Sequence, residues 1–117
     1  MGEDCADYKK QIGGITVLEC TGKFLGGIDC EYLPQLFSDL VEQKNLKIVM
    51  DFTKVNHVNS SGVGVLLGGL TTIRNGEGDI KIVTPKISQF HSLLFITKII
   101  EIVEVFDSLD EAVKSFE

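Results

Sequence analysis

The sequence has no Cys-x-x-Cys pair, no apolar run near the roughly 20 residues that cross a bilayer, and no surplus of basic residues. Each absence removes a class of function. Three cysteines, Cys5, Cys20 and Cys30, stand far apart; neither a zinc site nor a disulfide framework is expected, and a reducing compartment is. Cys20 reads as a small core residue within a strand. Lys and Arg number 11 against 17 Asp and Glu, a net charge of −6, which argues against nucleic-acid binding through basic patches. The opening MGEDCADYKK has no apolar signal core and is acidic where an export signal is basic. Met-Gly begins the chain, but Ala6 stands where N-myristoylation wants Ser or Thr. No membrane contact is expected, and the expected location is the cytoplasm.

Linkers, repeats and low-complexity stretches are also missing. What remains is 117 residues, 44% hydrophobic and 24% charged, enough for one core without staples. We expect one domain over residues 1–117, with 1–7 as a flexible lead.

Two β-leaning runs, Tyr8 to Ile12 and Ile15 to Thr21, flank Gly13-Gly14, a two-residue hairpin turn. A glycine-rich loop, GKFLGGID, follows, with Asp29 as a candidate N-cap. CEYLPQLFSDLVEQ then sets Leu33, Leu36, Phe37, Leu40 and Val41 at helical spacing, with Pro34 in the first turn. The nearly unbroken apolar run LKIVMDF, 46–52, predicts a parallel strand buried on both faces. TKVNHVN reads as a polar turn plugged by Val55 and Val58. Ser61 to Asn75 predicts a second helix and Ile80 to Val83 a strand. Ser88 caps a third helix carrying Phe90, Leu93, Leu94 and Ile96; IEIVEVF makes a last strand; Ser108 and Glu111 have capping-box spacing before a fourth helix. The order β-β-α-β-α-β-α-β-α predicts an α/β fold: a mixed sheet, antiparallel in its first hairpin and parallel afterwards, covered by about four helices.

The stretch VNHVNSSGVGVLLGG, residues 55–69, is unusual in what it places on a helix. At about 100° per residue, Val63, Leu66, Leu67, Leu70 and Ile73 share one side. Ser61, Gly64, Gly68, Thr71, Thr72 and Asn75 share the other, without one long side chain. Gly64, Gly68 and Gly69 each weaken the helix by about 1 kcal/mol relative to alanine. Close packing inside the chain would explain that, but Gly64 and Gly68 point away from the apolar stripe. An outward docking face is therefore expected. Asn59, Ser60 and Ser61 sit at the helix mouth, where any of them can cap free N–H groups. One cap leaves a second hydroxyl at the positive end of the helix dipole, where a phosphate is tolerated.

IVMDFTKVNHVNSSGVGVLLGGL, with the closing VFDSLDEAVKSF and Thr21-Gly22 at the end of the second strand, resembles the STAS domain of bacterial anti-sigma-factor antagonists. The resemblance covers nearly the whole chain. It implies a switch module whose partner is a kinase-type anti-sigma factor, with a phosphatase to reverse the modification, in control of sigma-factor-dependent transcription. The family's phosphorylated serine precedes a glycine and falls on Ser61, with Ser60 as second choice. Asn59, Ser60, Ser61, Gly62, Gly64, Gly68 and Thr71 are the expected partner-binding residues. Asn59 stands where the family usually has an acid, and Leu25 falls where it commonly has an aspartate. The fold also serves as a non-phosphorylated scaffold in stress-signalling assemblies, which is the alternative.

Enzymatic function is not expected. His57 lies four residues before Ser61 with no oriented acid, and Gly-x-Ser-x-Gly is absent. GVGVLLG lacks the P-loop Lys-Ser/Thr, and its glycines run on into the helix interior. No His/Cys cluster suggests a metal, and His91 reads as a surface residue. No cofactor is expected.

Overall fold

The computed structural model describes residues 6–24, 32–85 and 88–116. Asp29, Leu25, Cys5 and Cys30 lie outside them. Strand β1 (Ala6–Ile12) turns through Gly13 and Gly14, both at positive φ, into β2 (Ile15–Phe24). Helix α1 (Leu33–Glu42), β3 (Lys47–Val58), α2 (Ser60–Asn75), β4 (Asp79–Val83) and α3 (Gln89–Ile96) follow. A 3-10 turn at Ile99–Glu101 leads into β5 (Glu104–Phe106) and α4 (Leu109–Ser115). The sheet runs β1-β2-β3-β4-β5, antiparallel between β1 and β2 and parallel in every later pair.

Alternation along the strands divides the core in two. Leu18, Cys20, Ile48, Met50, Phe52, Ile80 and Ile82 face the side covered by α1, α2 and α3. Ile15, Val17, Val49 and Val83 face α4 through Ala112. Burial on both faces is why β3 begins as an apolar run. Cys20 is a buried core residue, as expected, its thiol donating to the Leu18 carbonyl at 3.8 Å.

Five expectations need correction. Residues 53–58 are not a turn: β3 continues to Val58, because β2 continues past Thr21 to a fully buried Phe24 and pairs with it, Gly22 to Val55 and Phe24 to Val58. Helix α1 starts at Leu33 with Tyr32 in the N-cap position and Pro34 in its first turn. Only the end of IEIVEVF is strand, since Ile99–Glu101 coils first, after Lys98 leaves α3 at φ 65°. Ile96, expected on the apolar face of α3, is 75% exposed. Ala6 and Asp7, expected in the flexible lead, already belong to β1.

Lys81, on the α4 side of β4, is only 6% exposed. Its Nζ donates to Ser115 Oγ at 2.7 Å and to the Ser115 carbonyl at 3.3 Å, pairs with Glu104 at 2.9 Å, and lies 4.4 Å from the Phe116 ring centroid. An ammonium against the last carbonyls of α4 complements the negative end of that helix. Lys81→Ala should destabilise the fold by about 2 kcal/mol, through lost packing and an unmet carbonyl. Lys81→Met should lose less than half of that by urea titration, because Glu104 is exposed and is not left as a buried orphan.

Candidate functional site

Among the three candidate caps at residues 59–61, backbone geometry selects Asn59. It is extended (φ −133°, ψ −178°), and its Oδ1 accepts the Gly62 N–H at 2.9 Å while its carbonyl accepts from Val63 at 3.1 Å. Ser60 and Ser61 therefore occupy the first two helical positions, with both side chains exposed. Among the described residues no side chain bonds either hydroxyl, and the first turn of α2 carries no acid. The first turn thus supplies no charge to offset that end of the helix dipole. Asn59→Ala should cost about 1 kcal/mol, read as a fall in the thermal midpoint of roughly 4 °C.

The glycines of α2 separate into two kinds. At Gly64 and Gly68 an added Cβ would meet nothing within 4 Å, and both are exposed. At Gly69 a Cβ would run into the Phe37 ring, and at Gly62 into the Phe24 carbonyl. Gly62, expected on the docking face, is buried: its lack of a side chain lets the start of α2 press onto the end of β2. Gly69 performs the same service between α2 and α1. Only Gly64 and Gly68 lie open.

Ser61 and Thr71 are exposed on the same side as Gly64 and Gly68, and Thr72 is half-buried. Thr71 turns its hydroxyl back onto the helix, donating to the Leu67 carbonyl at 3.0 Å. The face is thus less hydroxyl-rich than its sequence suggests. Beside it runs a cleft of about 490 Å³, in which Pro34 and Phe37 of α1 oppose Ser61, Gly64, Val65 and Gly68 of α2. Pro34, Phe37 and Val65 were not among the expected site residues. Ser61, Val65, Gly68 and Thr72 repeat at helical spacing and could have signalled one wall. The opposite wall arises only when α1 packs on α2.

His57 is exposed on β3, and His91 is half-buried in α3, where its backbone N–H is capped by Ser88 Oγ at 3.0 Å. Among the described residues neither histidine bonds Ser60 or Ser61. The site consequently offers an exposed hydroxyl, a bare ridge and a shallow apolar cleft. Such a surface can receive a partner or a phosphoryl group.

Comparison with known proteins bears on this surface. The profile of the STAS domain matches residues 8–112. A crystal structure of a candidate anti-sigma factor antagonist from Thermotoga maritima superposes with a TM-score of 0.80 at 20% identity, covering 92% of each chain. The phosphorylated form of the Bacillus cell fate determinant SpoIIAA gives 0.74 at 18% identity over 94% of this chain and 98% of that one. A sulfate transporter family protein from Wolinella succinogenes gives 0.70 at 20%, covering 96% and 92%. At these identities the structural likeness establishes the fold. No curated protein matches the chain significantly in sequence.

Proposed function

The chain belongs to the STAS domain family, and on that premise we propose that it is a cytoplasmic anti-sigma-factor antagonist, a binding switch and not an enzyme. Unmodified, it docks a kinase-type anti-sigma factor on the outer face of α2. Asn59, Ser60, Ser61, Gly64, Gly68 and Thr71 contribute to that contact, and the α1–α2 cleft receives a projecting apolar side chain. Capture of the regulator frees its sigma factor. Ser61 is the phosphoacceptor, and a phosphatase resets the module.

The observation that carries this reading is the openness of Gly64 and Gly68 beside an exposed Ser61. Two helix-weakening residues with nothing packed against them among the described residues do not serve the fold. A phosphoserine at the second helical position sits at the positive end of the dipole, so α2 persists while about −1.5 to −2 charges enter the contact surface. Docking fails by repulsion and bulk, without unfolding.

One observation favours a second reading. Asn59 caps α2 with a neutral side chain, so the residue before the serine pair brings no carboxylate to Ser61. The domain would then be a constitutive scaffold with Asn59 serving the fold alone. Intact-mass measurement after incubation with ATP, magnesium and a candidate anti-sigma kinase separates the two. A gain of one phosphoryl group in the wild type and in Ser60→Ala, absent in Ser61→Ala, supports the switch. No gain in any form, from a kinase that binds the domain, supports the scaffold.

A further inference from the structure

The far edge of the sheet, opposite β1, has a different character from the α2 face. Among the described residues β5 pairs only with β4. The Phe106 carbonyl accepts from Thr84 N–H at 3.0 Å and so faces β4. The N–H and C=O of one strand residue point the same way, and successive residues alternate. The N–H and C=O of Val105 are thereby aimed outward, and neither has a partner among the described residues. They form the floor of a trough of about 940 Å³, walled by the 3-10 turn on one side and α4 on the other.

Natural sheets cover, shorten or charge such edges. This edge is short and charged with one sign. Glu101 lies on one wall, Glu111 on the other, Glu104 on β5 itself and Asp107 just past its end, against a single ammonium among the described lining residues, Lys114. Lys81 engages Glu104 from beneath and leaves the other three carboxylates uncompensated by it. Ile102, 49% exposed, adds an apolar patch to the same wall as Glu101.

We propose that the β5 edge binds an extended peptide segment of a partner protein as a sixth strand, with basic residues alternating with apolar ones. Val105 supplies the backbone pair; successive side chains of the added strand turn to opposite walls, so Lys or Arg meets Glu111 on the α4 side and the intervening apolar side chain meets Ile102 on the other. Charge decides the occupant. A second copy of this chain, pairing β5 with β5, would set these carboxylates against their own images, and like-charge juxtaposition is strongly unfavourable. The trough takes no residue from α1 or α2, so it stands independently of the switch.

The test uses the full chain, labelled with nitrogen-15, and an eight-residue acetylated and amidated peptide alternating lysine and valine. At saturation the Val105 amide should shift and exchange with solvent at least about tenfold more slowly. Glu111→Lys, at an exposed position, should weaken binding about tenfold, while the loss of an acid from the first turn of α4 lowers the thermal midpoint by no more than roughly 4 °C. The same peptide with alternate backbone nitrogens methylated should lose binding, since it keeps the charge and cannot extend the sheet. Any of three results overturns the proposal. One is no binding at about 1 mM peptide. Another is equal binding of the methylated peptide, which marks mere charge adhesion. The last is Val105 protection that rises with protein concentration without peptide, which assigns the edge to a second copy.

Discussion

Gly62→Ala lowers the thermal midpoint by roughly 12 °C, whereas Gly64→Ala and Gly68→Ala each raise it by roughly 3 °C. The same substitution at neighbouring positions of one helix thus changes sign. At residue 62 the new methyl runs into the backbone carbonyl of Phe24. Phe24 cannot yield cheaply: it is fully buried, its ring meets Phe52 edge-on at 4.9 Å, and Phe52 stacks on Phe90 at 4.1 Å. Overpacking against rigid backbone costs about 3 kcal/mol. At residues 64 and 68 the methyl enters open space, and the gain is the helix propensity of alanine, about 0.8 kcal/mol each. Differential scanning calorimetry reads both signs. A Gly62→Ala chain melting with the wild type would mean that α2 does not press on β2. The two stabilised variants also test function: a face kept bare for a partner should bind more weakly once Gly68 carries a methyl, although the fold has gained stability.

The sequence could not distinguish these glycines, because period and propensity record only that a side chain is missing. What a Cβ would meet depends on Phe24 and Phe37, both remote in the chain. The apolar stripe of α2, by contrast, was legible: Val63, Leu66, Leu70 and Ile73 are buried and Leu67 is half-buried. So were the caps at Ser88 and Ser108, which accept from His91 and Glu111, since capping is a local interaction with a local signature. The second half of β3 was not legible. Its exposure follows no period of two, with Val55 half-buried and Val58 buried among four exposed residues. The pairing with β2 shifts register between Glu19 and Thr21 and again between Gly22 and Lys23. Irregularities of this kind break the alternation that sequence reading depends on. At the helix mouth, Asn59, Ser60 and Ser61 are chemically equivalent as caps, and only the extended backbone of Asn59 resolves which one acts.

Ser61→Asp is expected to weaken binding to the kinase-type partner at least about 100-fold, or ~2.7 kcal/mol, while raising the thermal midpoint by roughly 2 °C. The two effects have one electrostatic origin. On the free domain, an aspartate at the second helical position faces the positive end of α2, whose first turn carries no acid, worth about 0.5 kcal/mol of stability at an exposed site. In the complex the same carboxylate is taken out of water at the mouth of the α1–α2 cleft, and a desolvated charge without a partner is strongly unfavourable. Ser60→Asp supplies the control. It shares the helix end but does not line the cleft, so it should stabilise the domain similarly and reduce affinity far less. Calorimetric titration against the partner, paired with thermal melts of all three proteins, measures both quantities. Equal loss from Ser60→Asp and Ser61→Asp would reduce the effect to charge at the helix end and remove the cleft from the contact. Full affinity in Ser61→Asp would mean that the partner does not cover this serine, and the α2 face would no longer be the switch.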